Sequence, residues 1–123
     1  MHALRHVHQL LVPGGALLDL HPVAEEHVEA GGRTIGVIEE PQFVQRDLPN
    51  AEACLRDAIR DGLYVLEAET EFDFLEHFDD AAELIEKNEG DLASQRALVR
   101  RIRAATPPFV TRAHVVLRRL RAV

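Results

Sequence analysis

Cysteine, serine and lysine each occur once in these 123 residues, at Cys54, Ser94 and Lys87. A single cysteine cannot form an internal disulfide, and Cys54, on an apolar helical stripe, reads as a small buried hydrophobe. The lone serine lacks the G-x-S-x-G elbow that would expose it as a nucleophile, which argues against a hydrolase of that kind. No H-E-x-x-H and no cysteine pair occur. The spacing of His2 and His6 on one helix face, with His21, Glu25, Glu26 and His27 further on, is therefore too sparse a donor set, and no metal site is expected. No charged-then-apolar leader and no long apolar run are present, so neither a signal peptide nor a transmembrane helix is expected, and a reducing cytoplasm is the expected location. Internal repeats and low-complexity stretches are likewise missing.

What remains is ordinary globular composition. Hydrophobic residues make up 46% and charged residues 28%, enough for one core and too short a chain for two domains, so residues 1–123 are expected to form a single domain. Twenty-one acidic residues against 14 basic ones give a net charge of -7, whose field repels phosphate and weighs against nucleic acid or an anionic membrane as the main partner.

Leu4, Val7 and Leu11, widened by Ala3 and Leu10, predict a first helix that stops at Pro13-Gly14-Gly15. Ala16 to Leu20 is a nearly continuous apolar run and reads as a strand, closed by His21-Pro22. His27 to Ile38, broken by Gly31-Gly32, reads as a loose hairpin. Asn50 reads as the N-cap of a helix running to a stop at Gly62, and Leu63 to Phe74 as a long strand. Asp80-Ala81-Ala82-Glu83 is a capping-box pattern, Asp91 is read as the cap of a further helix, and Phe109 to Leu120 is a last long strand. Helices between strands predict an α/β layer.

Charge is segregated along the chain. Eleven acidic residues lie between Glu67 and Asp91, and eight arginines with no acid follow from Leu92 onward. Pairing across neighbouring strands is expected to bring Glu67, Glu69 and Glu71 opposite Arg112, Arg118, Arg119 or Arg121. The alternative for Arg96, Arg100 and Arg103, which share a helix face, is to hold a phosphate; a paired or solvated surface is the preferred reading.

The run Leu10-Leu11-Val12-Pro13-Gly14-Gly15-Ala16-Leu17-Leu18-Asp19 resembles the helix, proline-glycine-glycine turn and apolar fifth strand of class I S-adenosylmethionine-dependent methyltransferases. The resemblance extends in order over almost the whole chain: Ala51 to Asp61 is similar to the next helix, Gly62 to Leu66 to the sixth strand, and Phe109 to Leu120 to the seventh, which in the family inserts antiparallel between the fifth and sixth. It implies a partial Rossmann-like fold, the C-terminal half of that family's fold, with a three-stranded mixed sheet: Ala16–Leu20 beside the last strand, and the last beside Leu63–Phe74. The cofactor half has no counterpart, because neither Gly14-Gly15 nor Gly31-Gly32 belongs to a G-x-G pattern opening a helix.

A methyltransferase-like module follows, without a cofactor of its own and non-catalytic or dependent on assembly. Two alternatives stand beside it: an active methyltransferase whose N-terminal half is a missing segment or a separate polypeptide, and a small-molecule or metal-binding homodimer. By position after the fifth-like strand, Asp19, His21, Glu25 and Glu26 would border substrate, and His21 is the candidate acid or base. The Ala16–Leu20 strand lacks one neighbour, and a homodimer formed through that edge is expected.

Overall fold

The computed structural model describes residues 2–123, the side chain of His2 excepted. The elements in order are α1 (His2–Leu10), β1 (Ala16–Pro22), β2 (His27–Ala30), β3 (Arg33–Val37), a π-helical turn (Phe43–Asp47), α2 (Leu48–Arg60), β4 (Tyr64–Phe78), α3 (Ala81–Lys87), α4 (Glu89–Leu92), α5 (Arg96–Ala104) and β5 (Phe109–Ala122). The strands form one sheet in the order β1-β5-β2-β3, with β4 paired to β5. The α/β layer is as expected, and so are the neighbours β1, β5 and β4. The sheet is nevertheless five-stranded and antiparallel rather than three-stranded and mixed. The loose hairpin supplies the two additional strands: Val28 pairs with Thr111 and Ala30 with Phe109, so β2 is a full ladder partner of β5.

Within the expected domain the chain packs as two compact units. The first comprises the chain up to Val23, Pro41–Phe72 and Val115–Val123; the second comprises Ala24–Glu40 and Asp73–His114.

In the first unit β1 pairs antiparallel with the second half of β5, Leu17 opposite Leu120 and Asp19 opposite Arg118. Opposed residues of a ladder share a face, and Leu17 and Leu120 join Leu55, Ala58, Tyr64 and Ala122 in one core. The turn before β1 is set by two glycines. Gly14 has φ +83°, a conformation that side chains resist, and a Cβ on Gly15 would stand 2.9 Å from the Val12 carbonyl oxygen. The Gly14 N–H donates to the Ala122 carbonyl and the Ala122 N–H to the Gly15 carbonyl, both at 2.8 Å. Leu10 does not widen the buried stripe of α1; it is 73% exposed.

The helix before β4 begins earlier than Asn50. Helical backbone runs from Pro41, through the π-turn, into α2. Pro49 has no N–H to donate to the preceding turn, and the wider π-turn just before it, where the Leu48 N–H reaches the Phe43 carbonyl, carries the chain past that gap. Asn50 is thus interior to the helix.

In the second unit α3, α5, β2, Ile38, Phe78 and Phe109 enclose a separate core around Val28, Leu84, Leu98 and Ile102. The capping box is formed: the Asp80 carboxylate accepts from the Glu83 N–H at 2.8 Å, and the Glu83 carboxylate from the Asp79 N–H at 2.8 Å. Asp91, by contrast, caps nothing. It lies inside the short α4, and α5 starts after Gln95, whose side-chain amide is spent on the end of β3 and the residues after it, accepting from the Glu39 N–H and donating to the Val37 carbonyl. Gly36 in β3 allows a close approach: a Cβ there would lie 2.5 Å from Leu98 Cδ1.

Candidate functional site: a charged network on β1, α2 and β5

The strand alternation of β1 sends Asp19 and His21 to the same side as Arg118, opposite Asp19 in the ladder. Glu52, on the first turns of α2, faces them. His21 Nδ1 lies 3.0 Å from Asp19 Oδ2, and His21 Nε2 2.8 Å from Glu52 Oε1. A neutral imidazole has one N–H and can donate to only one of these carboxylates, whereas an imidazolium donates to both.

Arg118 donates from both terminal nitrogens to the two Glu52 oxygens, each at 3.1 Å, a bidentate fork. Its guanidinium is also 3.7 Å from Asp19 and 3.6 Å from Glu69 on β4. With the Arg118 side chain 11% exposed and that of His21 19%, these are half-sheltered interactions rather than surface pairs. Burial acts to raise the Glu52 carboxyl, but the hydrogen bonds from His21 and Arg118 outweigh it and hold the group below the ordinary glutamate range. Burial opposes the charge of Arg118, and the carboxylates of Glu52, Glu69 and Asp19 more than restore it.

Two small cavities border this network within the first unit. One, of about 260 Å³, is lined by Asp19, His21 and Cys54 over apolar Leu4, Ala51 and Leu55. The other, of about 250 Å³, lies against Glu52, Glu69 and Arg118. Three carboxylates against one guanidinium and one imidazole leave the network net negative, suited to binding a cationic group or to moving a proton through His21.

Asp19 and His21 therefore sit together, whereas Glu25 and Glu26 belong to the second unit. There the Glu25 carboxylate accepts from the Glu40 N–H. Burial raises the Glu26 carboxyl, against a hydrogen bond from the Thr111 side chain. The Glu40 carboxyl is raised as well, first by burial and then by the nearby charges of Asp91, Glu26 and Glu25.

Glu52 escaped the sequence reading, although its place three residues before Leu55 and seven before Ile59 puts a carboxylate on the apolar side of α2 and is a recognisable signal. The expected pairing across the long strands is present as Glu69 with Arg118 and as Glu67 with Arg119 and Arg121, the latter two at 3.9 and 4.0 Å. Arg112 turns instead to Glu29 and Asp73.

No group of three or more metal-ligating side chains converges among the described residues; the His2 side chain of the His2–His6 pair lies outside the description. Neither glycine pair builds a loop of the kind that would hold S-adenosylmethionine at a helix N-terminus. Gly14-Gly15 leads into a strand and Gly31-Gly32 turns β2 into β3, so neither presents a helix N-terminus to a ligand. Among the described residues no helix is long and apolar enough to cross a membrane. Comparison with protein-family models, with curated proteins and with solved structures finds no match to the chain.

Proposed function

We propose that the first unit is the substrate-side half of a methyltransferase-like, partial Rossmann-like fold, in a chain that lacks the S-adenosylmethionine-binding half and serves as an assembly-dependent module of the cytoplasm. The observation that carries this reading is the strand order. β5, the latest strand in the chain, lies between β1 and β4, with α1 leading into β1 and α2 leading into β4, the β2–β3 hairpin standing as an insertion between β1 and α2. That is the order the proline-glycine-glycine resemblance implies.

The second support is the edge of β1. Among the described residues its ladder is to β5 alone, and Leu18 and Leu20 are 66% and 55% exposed. In this reading a cofactor-binding partner, whether a separate polypeptide or a preceding segment, adds its strand there, and Asp19 and His21 face the methyl acceptor. No methyl-transfer step is assigned to this chain alone. In the isolated chain the same edge pairs with that of a second copy, because an unpaired apolar strand recruits whatever strand is at hand.

The test is a C-terminal tag at the native locus, followed by mass measurement of the purified material and calorimetric titration with S-adenosylhomocysteine. A larger polypeptide or a complex that binds the ligand at one site, with no binding by the 13.8 kDa chain alone, is the expected result. Saturable binding by the isolated chain, or recovery of the chain alone without binding, overturns the reading.

A further inference from the structure

Independently of that reading, we propose that the groove along α5 in the second unit binds a phosphate monoester carrying an aliphatic group. Arg96, Arg100 and Arg103 are spaced by four and then three residues, which places them along one side of the helix. They border a groove of about 450 Å³ whose apolar lining includes Ile85, Leu92 and Val99, a volume within the range of about 300 to 1,000 Å³ typical of small-molecule sites.

The arginines are uncommitted. Arg112, Arg118, Arg119 and Arg121 each pair with a carboxylate, in a chain where acidic residues outnumber basic ones by 21 to 14. Among the described residues, no carboxylate stands within ion-pair distance of Arg96, Arg100 or Arg103, even though Glu89 borders the same groove. Three like charges on adjacent turns repel one another, and an anion between them relieves that repulsion. Guanidinium forks match phosphate oxygens in shape as well as charge.

The rest of the groove selects the class of anion. No aromatic ring lines it, so it offers no platform on which nucleobases could stack, and the net charge of -7 repels an extended polyanion. The same repulsion disfavours an anionic membrane. A short anion with an aliphatic tail meets charge at the rim and Ile85, Leu92 and Val99 beneath, and a free alkyl phosphate is the favoured source.

The test titrates the full chain with octyl phosphate, followed by calorimetry and amide NMR, beside inorganic phosphate and vesicles containing phosphatidic acid. Octyl phosphate is expected to saturate one site, at least about tenfold more tightly than inorganic phosphate, since two buried methylenes already supply that factor. Arg100→Glu is expected to weaken it about tenfold or more. Arg33→Glu, an equal charge change at an exposed residue outside the groove, leaves it unchanged. Vesicle binding in addition to octyl phosphate moves the source to a lipid headgroup and keeps the site; no vesicle binding keeps the free ester. The proposal is overturned if octyl phosphate does not saturate, or if Arg33→Glu weakens it as much as Arg100→Glu.

Discussion

Replacing Arg118 with methionine removes the guanidinium that holds Glu52 while keeping most of the aliphatic volume. Breaking a fully buried ion pair costs about 3–5 kcal/mol, whereas an exposed pair is worth about 0–1 kcal/mol. The Arg118 side chain is 11% exposed and that of Glu52 33%, so the expected loss lies between these limits, at about 2–3 kcal/mol. Glu52→Gln keeps the shape and removes the charge, and Arg118 retains Asp19 and Glu69 at 3.7 and 3.6 Å. Its cost is about 1 kcal/mol, the net value of a hydrogen bond. In the double variant no stranded Glu52 charge remains, so the loss falls short of the sum of the single losses by about 1 kcal/mol.

Urea unfolding at neutral pH with linear extrapolation measures all four corners of this cycle. The acid limb checks the sign. Because the folded state holds the Glu52 carboxyl below its ordinary range, its contribution is complete above that range and is lost as pH falls through the lower, folded value. The gap between wild type and Glu52→Gln therefore narrows in acid. An Arg118→Met variant within about 0.5 kcal/mol of wild type, or losses that simply add within that margin, would refute the reasoning.

Two further outcomes follow from the packing. Gly36→Ala is expected to destabilise the protein by about 1–3 kcal/mol, because the new methyl meets Leu98 Cδ1 at 2.5 Å and Leu98 is 2% exposed. In combination with Leu98→Ala the losses should add to less than their sum, and strict additivity in thermal melts would show that the contact is not the cause. Light scattering after size exclusion at micromolar concentration should give about 27.6 kDa for the isolated chain, twice its 13.8 kDa. A persistent monomer with a dispersed NMR spectrum would remove the β1 edge as a self-association surface.

Elements whose signals are local were legible in the sequence. The Asp80–Glu83 capping box, the stop at Pro13-Gly14-Gly15 and the two long strands depend on residues within a few positions of one another. That β5 neighbours β4 was legible in their complementary charge, whereas the place of β1 beside β5 came only from the resemblance carried by the proline-glycine-glycine run. The starts of α2 and α5 were hidden by residues that ordinarily mark a boundary. Pro49-Asn50 reads as a beginning, but the π-turn absorbs the proline; Asp91 reads as a cap, but the chain makes one more short turn before Gln95. The hairpin's place in the sheet was hidden for another reason. Four residues of β2 carry too short a pattern to reveal a ladder whose partner lies some eighty residues later. Of the charged network, the sequence offered Asp19 and His21 by position and Arg118 only as a ladder residue. Their meeting with Glu52 depends on α2 crossing that face, which no local pattern encodes.

The place of β5 also bears on how the protein is made. In the first unit β1 and β4 have β5 as their common neighbour, yet β5 is synthesised after both. Until it emerges, β1 presents Leu18 and Leu20, and β4 Val65 and Leu66, on strands whose ladder partner does not yet exist. This sheet therefore closes only once the chain has been read through Ala122, and until then its apolar strands lack that mate. Such a nascent chain is a natural client for a chaperone that shields unpaired strands near the ribosome, and a pause in translation ahead of Phe109 would lengthen its exposure.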